Sequence, residues 1–177
     1  MTPGLWGDRP PPKPDPRFVV PYDSTADTLT HIDRVRHYLT KALVALMNRA
    51  QEHDASKLAP PEKETFDVFT PKLGGTVYGS PEYKQYLTAM QDGLRHHYEV
   101  NRHHPEHHAD GIAGMNLLDL LEMVCDWMAA VERHDDGDIM RSIRQNMERF
   151  GYDEQLAQIF ANTVRALADG GPHGVDP

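Results

Sequence analysis

Six of the eleven histidines fall within thirteen residues, His96-His97-Tyr98-Glu99-Val100-Asn101-Arg102-His103-His104-Pro105-Glu106-His107-His108. A separate His53-Asp54 pair lies upstream, and a later apolar segment carries Asp119, Glu122 and Asp126. Imidazole and carboxylate together are the ligand set of divalent transition metals such as Mn, Fe, Co, Ni or Zn. The histidine run is interleaved with Tyr98, Asn101, Pro105 and Glu106 and sits between two patterned segments, which sets it apart from a compositional tract. The expected cofactor is one or two such ions per chain.

Spacing adds to composition. Asp119, Glu122 and Asp126 stand at i, i+3 and i+7, within roughly 60° of one another on a helix. Their neighbours on that wheel are Met115, Met123 and Ala130, with no Lys or Arg among them. Three buried carboxylates repel one another unless a cation or proton neutralises them. His31 precedes His53 by 22 residues, which on a continuous helix returns to within about 40° of the same direction. His31, His53 and Asp54 are therefore expected to line one groove, with His37 on another face and His134 and His173 outside the cluster.

The elements that must position these residues read as helices. Asp23 or Ser24 can cap a first helix to about Gln51, with Ile32, Val35, Leu39, Leu43 and Leu46 at helical spacing. Pro60-Pro61 opens a short second helix stopped before Pro71, and 74–80 reads as a loop. Ser80-Pro81 starts a third helix to about Asn101, whose row Tyr83, Leu87, Met90, Leu94, His97, Asn101 puts His97 on the buried face and His96 elsewhere. A fourth helix from about Gly114 to Arg133 is apolar nearly all round and so expected to be buried. Asp138 caps a fifth, ended by Gly151, and Asp153 begins a sixth. No segment alternates as a strand does. The class is all-α, a single bundle of about six helices over 23–169, preceded by a proline-rich arm at 1–22 and followed by a flexible tail at 170–177. The arm reads as a flexible tail or as a strap on a neighbouring subunit of a homo-oligomer.

Composition excludes several functions. Net charge is −9, from 18 Lys and Arg against 27 Asp and Glu, which argues against broad nucleic-acid binding. No run approaches the roughly 18 apolar residues needed to span a bilayer, and a lone Cys125 permits neither a disulfide framework nor a thiolate zinc cluster within one chain. A cytoplasmic location is expected, the host cytoplasm if the chain is phage-encoded.

An isolated helical histidine, a later His53-Asp54-Ala55-Ser56-Lys57 and a late helical aspartate resemble the HD-domain metal-dependent phosphohydrolase superfamily. The resemblance implies an HD-domain-like bundle with His31, His53, Asp54 and Asp126 as metal ligands, and His97 with His104 as inserted ligands of a second ion. More narrowly, HDASKL, YGSPEYK, HHYEVNRHHPEH and GMNLLDLLEMVCDW resemble a compact family of uncharacterised bacterial and bacteriophage proteins, over roughly residues 28 to 168.

The function expected is hydrolysis of a nucleotide or other small phosphoester by metal-activated water. His31, His53, Asp54, His97, His104 and Asp126 would hold metal, with Glu122 as a further ligand or as the group that orients one. Lys57 would stabilise phosphoryl charge, and His103, His107 or His108 would protonate the leaving oxygen. Lys57, Lys84, Arg102 and Tyr83 would bind the substrate. Two alternatives use the same residues: a di-iron oxygenase, or a non-catalytic, metal-stabilised phage factor that binds a nucleotide or protein.

Overall fold

The computed structural model describes residues 22–77, 80–133 and 137–168. The proline-rich arm up to residue 21, the tail from 169, residues 78–79 of the predicted loop, His134 and His173 lie outside them. Among the described residues are seven α-helices, three short 3-10 helices and no strand. The chain divides into two units, Met1–Thr40 and Lys41–Pro177.

The first unit contributes the start of helix α1, Thr25–Glu52. Asp23 caps it, its Oδ1 accepting from Thr25 N at 3.0 Å and Thr25 Oγ1 at 2.6 Å. The part of the expected apolar row that lies in this unit is exposed: Ile32, Val35 and Leu39 are 36%, 42% and 65% exposed. Helical periodicity identifies such a face; it does not say what covers it.

In the second unit, α5 (Leu117–Val131), α6 (Ile139–Phe150) and α7 (Glu154–Ala168) enclose the apolar core of Met123, Val124, Ile143, Tyr152, Ala157, Phe160 and Val164. Tyr152 sits edge-to-face on Phe160 and donates its hydroxyl to the Ile143 carbonyl at 2.6 Å, so its one polar atom is satisfied. Asp138 accepts from Met140 N and Arg141 N as the cap of α6, and Gly151 ends that helix in the left-handed conformation at φ 68°. Both were legible in the sequence. Helix α5 is not buried all round. Leu117 is exposed, and burial concentrates at Asp119, Met123 and Val124.

Helices α2 (Glu62–Gly74), α3 (Pro81–Ala89) and α4 (Gln91–Val100) differ from expectation in two places. Helix α2 runs through Pro71, because a proline in the last turn forfeits a single hydrogen bond near an end that already lacks partners. The expected third helix breaks at Met90 into α3 and α4, which raises the count from six to seven. The break turns Met90 inward, 1% exposed. It also lets Gly93 approach α2 so closely that a Cβ there would stand 2.8 Å from Thr65.

Candidate metal centre

The site begins where α1 ends. Asp54 adopts the left-handed conformation, φ 56° and ψ 12°, and no other described residue except glycine has a positive φ. Such a conformation costs on the order of 1 kcal/mol and is held only where the surroundings over-determine it. Here Lys57 Nζ grips Asp54 Oδ2 at 2.6 Å, and the reversal brings both His53 and Asp54 to one centre.

Asp54 Oδ1 and His103 Nε2 are buried, have no hydrogen-bond partner, and face each other at 3.6 Å. His97 Nε2 lies 3.4 Å from the same Oδ1 and 2.8 Å from His104 Nε2. Asp54, His97, His103 and His104 thus offer four ligand atoms within 4.8 Å of one another. A second group, His53, Asp54 and Asp126, meets the same limit and shares Asp54 with the first. His53 Nε2 is 3.7 Å from both Asp54 Oδ2 and Asp126 Oδ1. Orphaned buried polar atoms are rare and call for a partner; a divalent cation between them fits this donor set. No cysteine belongs to any of the ligand groups among the described residues.

The other ring nitrogens explain the orientation. His53 Nδ1 and His103 Nδ1 stand 3.0 and 3.3 Å from Glu122 Oε1, and His97 Nδ1 stands 2.8 Å from Glu62 Oε2. Each Nδ1–H donating to a carboxylate leaves the Nε2 lone pair aimed inward, the arrangement that orients metal-ligating histidines. Glu62 is fully buried, accepts from Ser56 Oγ at 3.0 Å, and meets His96 at 2.8 Å. With no metal present, Asp126 and then Glu122 raise His53 to about 10. Burial lowers His104 to about 3, with His103 and His97 adding to the shift. For Glu122, burial opposes ionisation, but hydrogen bonds from His103, His53 and Arg49 outweigh it and hold the carboxyl far below its usual range.

Of the residues expected to hold metal, the structure brings together His53, Asp54, His97, His104, Glu122 and Asp126, with Glu122 in a third ligand group beside His53 and His103. His103, expected as a proton donor, stands among the ligand atoms. His31 is exposed on α1 in the first unit and belongs to none of the ligand groups. Helical phase considers direction alone, whereas 22 residues of α-helix rise about 33 Å. The cations absent from the wheel of α5 come from elsewhere. Arg49 bonds Asp119 at 2.8 Å and Glu122 at 2.9 Å, and Arg102 bonds Asp119 at 3.2 Å. Asp119, with no exposed surface, also accepts from Asn116 N at 2.9 Å as half of a capping box. It is a structural carboxylate.

The expected substrate and proton-transfer residues divide. Lys57 is committed to Asp54 and lies over the Phe66 ring at 4.9 Å, and Arg102 is committed to Asp119. Lys84 is exposed on α3 and lines neither the centre nor the cavity beside it, whereas Tyr83 does line that cavity. His107 Nδ1 donates to the Tyr98 carbonyl at 3.1 Å and His108 Nε2 to the Arg102 carbonyl at 2.9 Å, so both tie down the ligand-bearing loop. Sequence reasoning missed Glu62, Ser56 and Arg49. Glu62 lies 35 residues from His97, and a glutamate in a first helical turn ordinarily signals nothing beyond the helix dipole.

Residues 21–168 match the model of a family of unknown function, DUF5662, and the chain belongs to that family. No curated protein and no solved structure matches it.

Proposed function

We propose that the protein is a metal-dependent phosphohydrolase acting on a nucleotide or other small phosphoester. The observation that carries the reading is the pair of orphaned buried atoms, Asp54 Oδ1 and His103 Nε2, among three overlapping ligand groups, two of which are joined by the Asp54 carboxylate. A shared carboxylate between two groups of nitrogen and oxygen ligands suits a pair of divalent ions, and the His53-Asp54 and Asp126 elements resemble the HD-domain phosphohydrolases. Bound divalent metal lowers the pKa of water and polarises a phosphoryl group.

The chain's own residues have distinct tasks in this reading. His53, Asp54 and Asp126 form one ligand group; His97, His103 and His104 form the other with Asp54. Glu122 and Glu62 fix the imidazole orientations, which removes reorganisation from the reaction. Lys57 holds the Asp54 carboxylate that the two groups share and places a positive charge at the edge of the centre.

The test is metal analysis of protein purified without chelators, followed by phosphate release from a panel of nucleotides and simple phosphoesters, with Asp54→Ala as control. At least one divalent metal per chain and phosphate release lost in Asp54→Ala are expected. Absence of bound metal, with no stabilisation by added Mn, Fe, Co, Ni or Zn, overturns the reading. Tightly bound iron with visible absorption and no phosphate release would favour oxygen chemistry instead.

A further inference from the structure

Beside His104 and Asp126 the second unit opens into a cavity of about 670 Å³, well within the size range of sites that enclose small organic molecules. It is far larger than a phosphate group needs. Its two long walls differ in chemistry. Helix α5 contributes Trp127, Ala130 and Val131, directly beyond the ligand Asp126. Helix α6 contributes Arg141, Gln145, Asn146 and Arg149, the last three standing four, five and eight positions on from the first, so that they form one continuous polar face. The opposite face of α6 is apolar, with Ile143 in the core.

This asymmetry selects among organic groups. An alkyl chain would offer no hydrogen bond to the amides of Gln145 and Asn146, and a bare sugar would waste the apolar α5 wall. A flat heteroaromatic ring satisfies both, with its face on the α5 side and its donor and acceptor edge towards Gln145 and Asn146, whose amides carry both functions; Asn146 Nδ2 also reaches Ser142 Oγ at 3.4 Å. Arg149 is anchored at the rim by Glu106 at 2.7 Å and lies 4.6 Å from the Phe150 ring centre. With Arg141 it brings guanidinium groups to a cavity that the carboxylates of Asp126 and Asp138 also line.

We propose that this cavity is the recognition site for the non-reacting part of the substrate, that this part is a nucleoside, and that Gln145 and Asn146 read its base. The assignment rests on the phosphohydrolase reading above, since it directs the phosphate of a nucleoside monophosphate towards His104 and Asp126.

The experiment uses the full-length, metal-loaded protein. Steady-state phosphate release is measured with the four ribonucleoside 5′-monophosphates and with phenyl phosphate, which lacks a hydrogen-bonding edge. In parallel, binding of the same nucleotides is followed by titration calorimetry. Asn146→Ala and Gln145→Ala are expected to raise KM for the preferred nucleotide about ten-fold each, the loss of one good hydrogen bond. They should leave kcat within about two-fold and narrow the preference over phenyl phosphate by the same ten-fold factor. Glu148→Gln, exposed on α6 and outside the cavity, should shift none of these. Equal changes for nucleotide and phenyl phosphate, or none, overturn the proposal. If no phosphoester is hydrolysed, calorimetry decides separately: nucleotide binding weakened by Asn146→Ala supports the cavity while the hydrolytic reading fails. No nucleotide binding in the unsubstituted protein overturns the cavity assignment.

Discussion

At the scale of single residues, two buried carboxylates on neighbouring paths have opposite duties. Glu62 orients His97 and meets His96. Glu62→Gln keeps an acceptor for one imidazole but loses the second charged oxygen, so metal affinity should fall about 10- to 100-fold. Competition with a chromophoric chelator measures this; unchanged affinity would remove Glu62 from the site. Asp119 faces Arg49 and Arg102 with no exposed surface. Asp119→Ala leaves Arg49 with Glu122 alone, frees the half-exposed Arg102 and removes the acceptor of Asn116 N, and should cost about 1–3 kcal/mol of stability, while metal per folded molecule is retained. Urea denaturation alongside metal analysis separates the two effects, and metal loss without loss of stability would make Asp119 a ligand.

The residues of the candidate centre were largely legible in the sequence, because imidazoles in a dense run and a His-Asp pair stand out by type. Their supports were not. Arg49, Glu62 and Ser56 are ordinary helix or turn residues whose role exists only once α1, α2 and α4 meet. His31 shows the reverse failure: helical phase pointed to it, and it is exposed and belongs to none of the ligand groups.

At the scale of elements, the junction of α2 and α4 depends on Gly93. A methyl group at that position would meet Cβ, Cγ2 and Oγ1 of Thr65 at 2.8 Å. Gly93→Ala should therefore lower stability by about 1–3 kcal/mol, and Thr65→Ala in the same chain should recover part of the loss. A neutral Gly93→Ala, read from the denaturation midpoint, would show that the helices separate freely. Helix α1 offers a contrast with α7. Leu39 is exposed and Phe160 is buried, so Leu39→Ala should stay within about 0.5 kcal/mol of the starting protein. Phe160→Ala should cost about 3–5 kcal/mol. Comparable losses at both positions would show that Leu39 is covered in solution. Helix existence and most caps followed from periodicity and from Asp138, Gly151 and Ser80. The break at Met90 did not, because the apolar row continues across it and only the packing of Gly93 on Thr65 reveals the bend.

For the whole molecule, the histidines of the centre set a pH optimum of stability when metal is removed. His53 is raised to about 10, so its contribution is complete below its ordinary pKa near 6.5 and is lost as pH climbs towards 10. His104 is lowered to about 3; below pH 6.5 the unfolded chain takes up a proton that the folded chain refuses, and stability is lost as pH falls towards 3. The urea midpoint of chelator-treated protein should therefore peak near pH 6.5 and decline on both sides. A midpoint that rises from pH 7 to 9 contradicts this. Among the described residues no helix is long and apolar enough to cross a membrane.

The ligand groups contain nitrogen and oxygen and no sulfur, although Cys125 stands one residue before Asp126. Cys125 is exposed, and burial of part of its thiol, with Glu122 adding to the effect, raises its pKa, which keeps it in the less reactive protonated form. Thiolate centres surrender their metal when peroxide oxidises the ligands; imidazole and carboxylate ligands give peroxide no such foothold. Zinc-loaded protein treated with dilute hydrogen peroxide should keep its metal content, with mass spectrometry recording any oxygen added to Cys125 or to methionine. Zinc release in step with oxidation of Cys125 would place that sulfur at the centre. Retention would describe a protein whose inorganic chemistry persists through oxidative stress.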